Sequence, residues 1–350
     1  MTTSKRASRA VALATMTVAS AVADNAHAHG DLDVEKSPSR REAPPTSGAS
    51  AEGDTPADAE GPANVTDRRN VLDLDLVLGW GKVPFAVQNL PTTGMQAITY
   101  SRSDATPSSV QSFVFGGRFE MAKRWSVGAR LPFSFASFSP DSSAPRSTTA
   151  FGNLELAGEY RAGFSNGAEV TAALGVALPT AQGDEIPVDL QSRSTQLVDA
   201  SAYDRFSLSR AAALARGYEE NALFEPKRLG IVPKIVLRYA RGALAVEPSV
   251  KVENLVGTAS SLDAGYVGDL VAALRVGYRL RDFVEIALRG WTNVGYAGSD
   301  QDKTVSVAVE PSVFFRFGAL RPFAGVVVPV AGPPLDGRFV GVRVGLAGVF

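Results

Sequence analysis

Seven charged side chains and one tryptophan concentrate the chemistry of this sequence. Glu247, Lys251 and Glu253 fall on one face of an alternating stretch, and Arg275, Arg279, Glu285, Arg289 and Trp291 fall on the matching faces of the next two. Acids and bases interleaved on adjacent strands pair with one another, so the cluster suits an ion-pair network or a constriction that sorts solutes by charge. Catalysis is not expected. A serine nucleophile needs a base such as histidine, and the only histidines are His27 and His29, near the amino terminus. Cysteine is absent, which removes thiolate and disulfide chemistry. Glu155 and Glu159 are separated by four strand residues, about 13 Å, too far to share a cation. No metal, cofactor or enzymatic activity is therefore expected.

These residues must be held by strands. Alternation predicts strands at 71–80, 110–122, 125–138, 151–162, 166–178, 229–240, 242–255, 268–280, 282–294, 304–317, 320–331 and 338–350. In the first, Leu72, Leu74, Leu76, Leu78 and Trp80 oppose Asp73, Asp75, Val77 and Gly79. In the last, Val340, Val342, Val344, Leu346 and the aromatic Phe350 oppose Gly341, Arg343 and Gly345. Such two-faced strands predict an all-β transmembrane antiparallel barrel of twelve strands, with lipid outside and a polar lumen. Short turns alternate with longer links at 81–109, 139–150, 179–228, 256–267, 295–303 and 332–337, which sorts every tight turn to the periplasmic side. Trp80, Trp125, Tyr160, Tyr239, Tyr278 and Phe350 lie near strand ends, as interfacial aromatic girdles require. Pro233, Pro248 and Pro311 fall inside predicted strands, where each removes a ladder donor.

Residues 1–28 have the layout of a signal peptide: Lys5, Arg6 and Arg9, an apolar run from Ala10 to Ala23, then Ala26-His27-Ala28. Residues 29–70, rich in Pro, Ser, Ala, Gly, Asp and Glu, read as a disordered periplasmic tether, and 71–350 as the barrel. An autotransporter translocator also has twelve strands, but the short 29–70 segment leaves no passenger domain to expect. Thirty-five basic and 36 acidic residues nearly cancel and give no reason to expect a nucleic-acid partner. The expected location is the outer membrane. The expected partners are outer-membrane lipid, a small-molecule solute, and the barrel-assembly machinery through the last strand ending at Phe350. A soluble sandwich is the structural alternative, in which the aliphatic faces would meet a second sheet.

The link at 179–228 is too long to be structureless and is expected to form a long extracellular loop. It carries a helix over Ser207–Tyr218, capped by Ser207 and stopped near Gly217, that folds over the mouth or packs on its rim.

Phe151-Gly152-Asn153-Leu154-Glu155-Leu156-Ala157-Gly158-Glu159-Tyr160-Arg161, followed by Leu174-Gly175-Val176-Ala177-Leu178-Pro179-Thr180, resembles the outer-membrane transporters associated with meta-pathway phenol degradation. Asn153 stands where aspartate is common in that family, and Ala181 where glycine follows Pro-Thr. The resemblance implies a channel or transporter for small, hydrophobic or aromatic solutes. The alternative is a plugged barrel with a structural, adhesive or receptor-like role.

Overall fold

The structure is a computed structural model that describes residues 70–83, 86–92, 95–101, 106–139, 145–164, 167–183, 200–258, 265–298 and 305–350. The expected signal peptide and nearly all of the expected tether lie outside the described residues. Fifteen strands run in the order β1 (Val71–Val83), β2 (Ala86–Thr92), β3 (Met95–Ser101), β4 (Thr106–Ala122), β5 (Trp125–Phe138), β6 (Arg146–Phe151), β7 (Leu154–Gly163) and β8 (Ala168–Leu178). After them come β9 (Arg228–Arg241), β10 (Leu244–Gly257), β11 (Tyr266–Arg281), β12 (Val284–Ala297), β13 (Val305–Phe315), β14 (Leu320–Ala331) and β15 (Val340–Val349). Among the described residues three helices interrupt them: α1 (Ala200–Ala215), α2 (Asn221–Phe224) and α3 (Pro333–Asp336).

Antiparallel pairing runs β4-β1-β15-β14-β13-β12-β11-β10-β9-β8-β7-β5, and β4 pairs with β5 to close the ring. β6 pairs with Phe133–Phe138 of β5 and β7 with Trp125–Arg130, so these two short strands share one place in the wall. The result is a closed, twelve-position barrel in which β6 is paired on one side only. β2 and β3 form a separate hairpin in the link between β1 and β4.

The strand expected at 151–162 is the main correction to the wall. It begins earlier, at Arg146, and breaks at Gly152–Asn153. Pro132 of β5 faces the break; it has no N–H to give, and its carbonyl accepts from Gly152 N at 3.0 Å. The other prolines obey the same rule. Ladder pairing between β9 and β10 lapses around Pro233 and again around Pro248, and pairing between β13 and β14 lapses around Pro311. Each proline remains in its strand because the neighbour on its N side does not need the missing donor.

Side-chain faces sort as the alternation requires. Leu72, Leu174, Leu274, Ile235 and Leu288 are exposed on the outside, whereas Asp75, Val77, Glu253, Glu285 and Glu310 are buried within. Because the ring is closed and its outer face is a continuous aliphatic surface, the partner of that surface is lipid and not a second sheet. Trp80 marks one rim, and Trp125, Tyr239, Tyr278 and Phe350 mark the opposite one, all exposed. Leu274→Arg, midway along β11, should destabilise the folded barrel by roughly 2–4 kcal/mol. Urea unfolding in lipid vesicles, followed by heat-modifiable migration, measures that loss; an unchanged midpoint would remove Leu274 from the lipid belt.

Candidate functional site

The described helical part of the link between β8 and β9, residues 200–227, does not lie over the mouth. It descends into the barrel. Leu208, Ala211, Ala212, Leu214 and Ala215 of α1 are buried in one apolar cluster with Val77, Val110, Val114, Ala136 and Phe339 of the inner wall. The helix also starts earlier than expected, so Ser207 is a buried helical residue and not the cap. Gly217 stops it as foreseen, with φ +62° in the left-handed region that glycine accepts without strain. Close approach needs glycine in the wall as well. A Cβ at Gly79 would collide with the Ala215 side chain, and one at Gly341 would stand 2.5 Å from the Ala215 carbonyl oxygen. Gly341→Val is therefore expected to displace the end of α1 while the strands remain paired. The check is protease cleavage within the loop, slow in the parent and several-fold faster in the variant.

Below α1 the chain crosses the lumen as a polar tip, Arg216 to Ala222, and the wall holds it from nearly every side. Arg216 Nη1 donates to Asp75 Oδ2 at 2.8 Å and Glu220 Oε2 at 3.0 Å, and its Nη2 donates to the Ser112 carbonyl at 3.1 Å. Arg343 reaches the same Asp75 oxygen at 2.7 Å. Glu219 accepts from Arg289 Nη1 at 2.8 Å, Glu220 pairs with Arg130, and Lys251 donates to the Glu219 carbonyl. Trp291 Nε1 donates to the Gly217 carbonyl at 3.0 Å, Asn293 to that of Tyr218 at 2.7 Å, and the Ala222 amide to Glu253 Oε2 at 3.0 Å. Burial would raise the pKa of both tip glutamates. The facing Arg289 outweighs it for Glu219, and Arg130 with Arg216 outweighs it for Glu220, so both carboxyls sit below the usual range, Glu220 well below.

The break in the wall anchors both ends of this insertion. Asn153 is fully buried, and its Nδ2 donates to the carbonyls of Ala222 at 2.8 Å and Glu225 at 2.7 Å, while its Oδ1 accepts from Ala181 N at 2.9 Å. Thr180 Oγ1 donates to the Gly152 carbonyl at 2.9 Å and accepts from Leu154 N at 2.8 Å. The two segments that carried the family resemblance therefore meet in space, and together they clamp the outgoing and returning arms of the loop.

Towards the tight turns the lumen holds a chamber of about 470 Å³. Glu247 bridges Arg238 at 3.0 Å and Arg275 at 3.4 Å; Glu285 pairs with Arg275 and, at 3.1 Å, with Arg316; Glu310 pairs with Arg343 at 3.2 Å. Phe314 and Phe323 stack with centroids 5.3 Å apart, and the Arg275 guanidinium lies 4.7 Å from the Phe314 centroid.

The candidate residues thus divide in two. Lys251, Glu253, Arg289 and Trp291 grip the tip, whereas Glu247, Arg275 and Glu285 line the chamber, which Arg289 also reaches; Arg279 lies opposite Glu285 in the β11–β12 ladder. Sequence reasoning missed Arg216, Glu219 and Glu220 of the tip, the anchoring role of Asn153 and Thr180, and Arg321 in the chamber. The i, i+4 pair Arg216–Glu220, which straddles the Gly217 stop, was the available signal.

The sequence matches no family model and no curated protein. Among solved structures, an outer membrane channel from Pseudomonas putida F1 superposes with a TM-score of 0.52 at 13% identity, over 80% of this chain and 96% of that one. The beta domain of the Bordetella autotransporter BrkA reaches 0.44 at 13% identity, over 81% and 100%, and the KdgM porin 0.41 at 8%, over 79% and 99%. At 13% identity the likeness to the Pseudomonas putida channel is one of fold alone, an outer-membrane β-barrel.

Proposed function

We propose that the protein is a gated outer-membrane channel for small solutes, with the loop between β8 and β9 as its gate. The observation that carries this reading is the polarity of the tip. A permanent seal is best made of apolar packing, but Arg216 to Ala222 is held by ion pairs and hydrogen bonds to groups that water can also satisfy, above a chamber of about 470 Å³. Lys251, Glu253, Arg289 and Trp291 act in this account as the catch. Glu247, Arg275, Arg279 and Glu285 act on the passing solute. The resemblance to phenol-degradation transporters favours aromatic or hydrophobic solutes, and the Phe314–Phe323 pair supplies an apolar patch for them. Export by a signal peptide at 1–28, with 29–70 as a periplasmic tether, belongs to the same proposal.

One observation favours the second reading, a sealed structural or receptor-like barrel: α1 packs against the wall with an apolar face. Purified protein in planar bilayers separates the two. Discrete conductance steps or solute-dependent flux support the gate, and silence at every voltage from a correctly folded sample supports the sealed barrel.

A further inference from the structure

We infer that the chamber beneath the tip binds small organic anions that carry an apolar body, an inference that rests on the channel reading for its place in transport. The chamber is lined by seven basic residues, Lys234, Arg238, Arg275, Arg289, Arg316, Arg321 and Arg343, against three acidic ones, Glu247, Glu285 and Glu310. The acids are already engaged by Arg238, Arg275, Arg316 and Arg343. Asp75 and Glu219, at the level of the tip, engage Arg343 and Arg289. Lys234 and Arg321 of the lining have no ion-pair partner among the described residues, and neither has Arg279, which lies outside the lining, opposite Glu285 in the β11–β12 ladder. The Nε atoms of Arg279 and Arg321 are buried with no hydrogen-bond partner in the protein. Arg316 stands within electrostatic reach of Arg279, Arg321 and Arg238, so the four cations act on one region.

Uncompensated positive charge within low-dielectric walls concentrates anions, and guanidinium groups take carboxylates by paired hydrogen bonds. The stacked Phe314 and Phe323 rings give an apolar surface beside those donors, which distinguishes an organic carboxylate from chloride. Lys234, on the wall near the tip, and Arg321, near the turns, mark the two ends at which a carboxylate can be held.

The test is calorimetric titration of benzoate into the full-length, detergent-solubilised barrel, with benzylamine as the cation of similar shape. Benzoate is expected to bind and benzylamine not to. The double variant Arg279→Gln, Arg321→Gln should weaken benzoate at least tenfold, and should move the reversal potential in a KCl gradient towards cation preference. Lys234→Gln applies the same criterion if the double variant fails to assemble. No benzoate binding, equal binding of benzylamine, or affinity unchanged by the substitutions would overturn the inference. Benzoate binding retained by a barrel that never conducts would leave the inference standing and sink the channel reading instead.

Discussion

Replacing Glu219 and Glu220 together by glutamine is expected to raise the open probability of the barrel at least tenfold. The two carboxylates answer Arg289, Arg130 and Arg216, and removing one partner of a buried pair typically costs about 3–5 kcal/mol because the remaining charge is stranded. The lumen is wetter than a protein core, so the effect should fall towards the low end. Since about 1.4 kcal/mol is a factor of ten in an equilibrium, even half the low-end value shifts the docked fraction by an order of magnitude. Single-channel recording in planar bilayers measures it directly. Acid should imitate the substitution. Both carboxyls are held below their ordinary value of 4.5, so their contribution to docking is complete above that pH and is lost as pH falls through the depressed values. Titration of these two carboxyls should therefore leave openings unchanged near neutrality and multiply them only under strongly acidic conditions. A rise between pH 8 and 6 would point to some other group.

The second large effect is expected from Asn153→Asp. The substitution conserves shape, but a carboxylate cannot donate, and it would face the Ala222 and Glu225 carbonyl oxygens that now receive the Nδ2 hydrogens. Leaving two buried acceptors unpaired costs about 1–3 kcal/mol each. The returning arm of the loop should detach while the wall survives, because the strand is already interrupted at Gly152–Asn153. Hydrogen exchange across 221–227 should accelerate at least tenfold, with protection of β10 to β12 unchanged. Uniform acceleration throughout the barrel would show instead that Asn153 supports the wall and not the gate.

The wall was legible in the sequence because two-faced strands announce themselves by period alone. Val77 against Leu76, or Glu285 against Ile286, could be assigned to lumen and lipid before any coordinates. The break at Gly152 was not legible, since Pro132 lies twenty residues earlier and becomes its counterpart only through strand pairing. The descent of α1 was hidden for a different reason. Its inner face is mostly alanine, which reads equally well as a surface helix, and its fit depends on Gly79 and Gly341 in strands at opposite ends of the barrel sequence. Arg321 follows the Gly318–Ala319 turn too closely for alternation to assign its face. The division of the charged residues on β10 to β12 between tip and chamber depended on a loop whose path the period of the strands cannot reveal.

The gate itself is tested most directly by locking it. The chain contains no native cysteine, so Ala222→Cys with Gly230→Cys introduces a single pair. A Cβ at Gly230 would stand 3.5 Å from the Ala222 Cβ, within disulfide range. The account predicts no openings in the oxidised barrel and restored openings after reduction, in the same bilayer. Equal conductance in the two states, or silence in both, would contradict it.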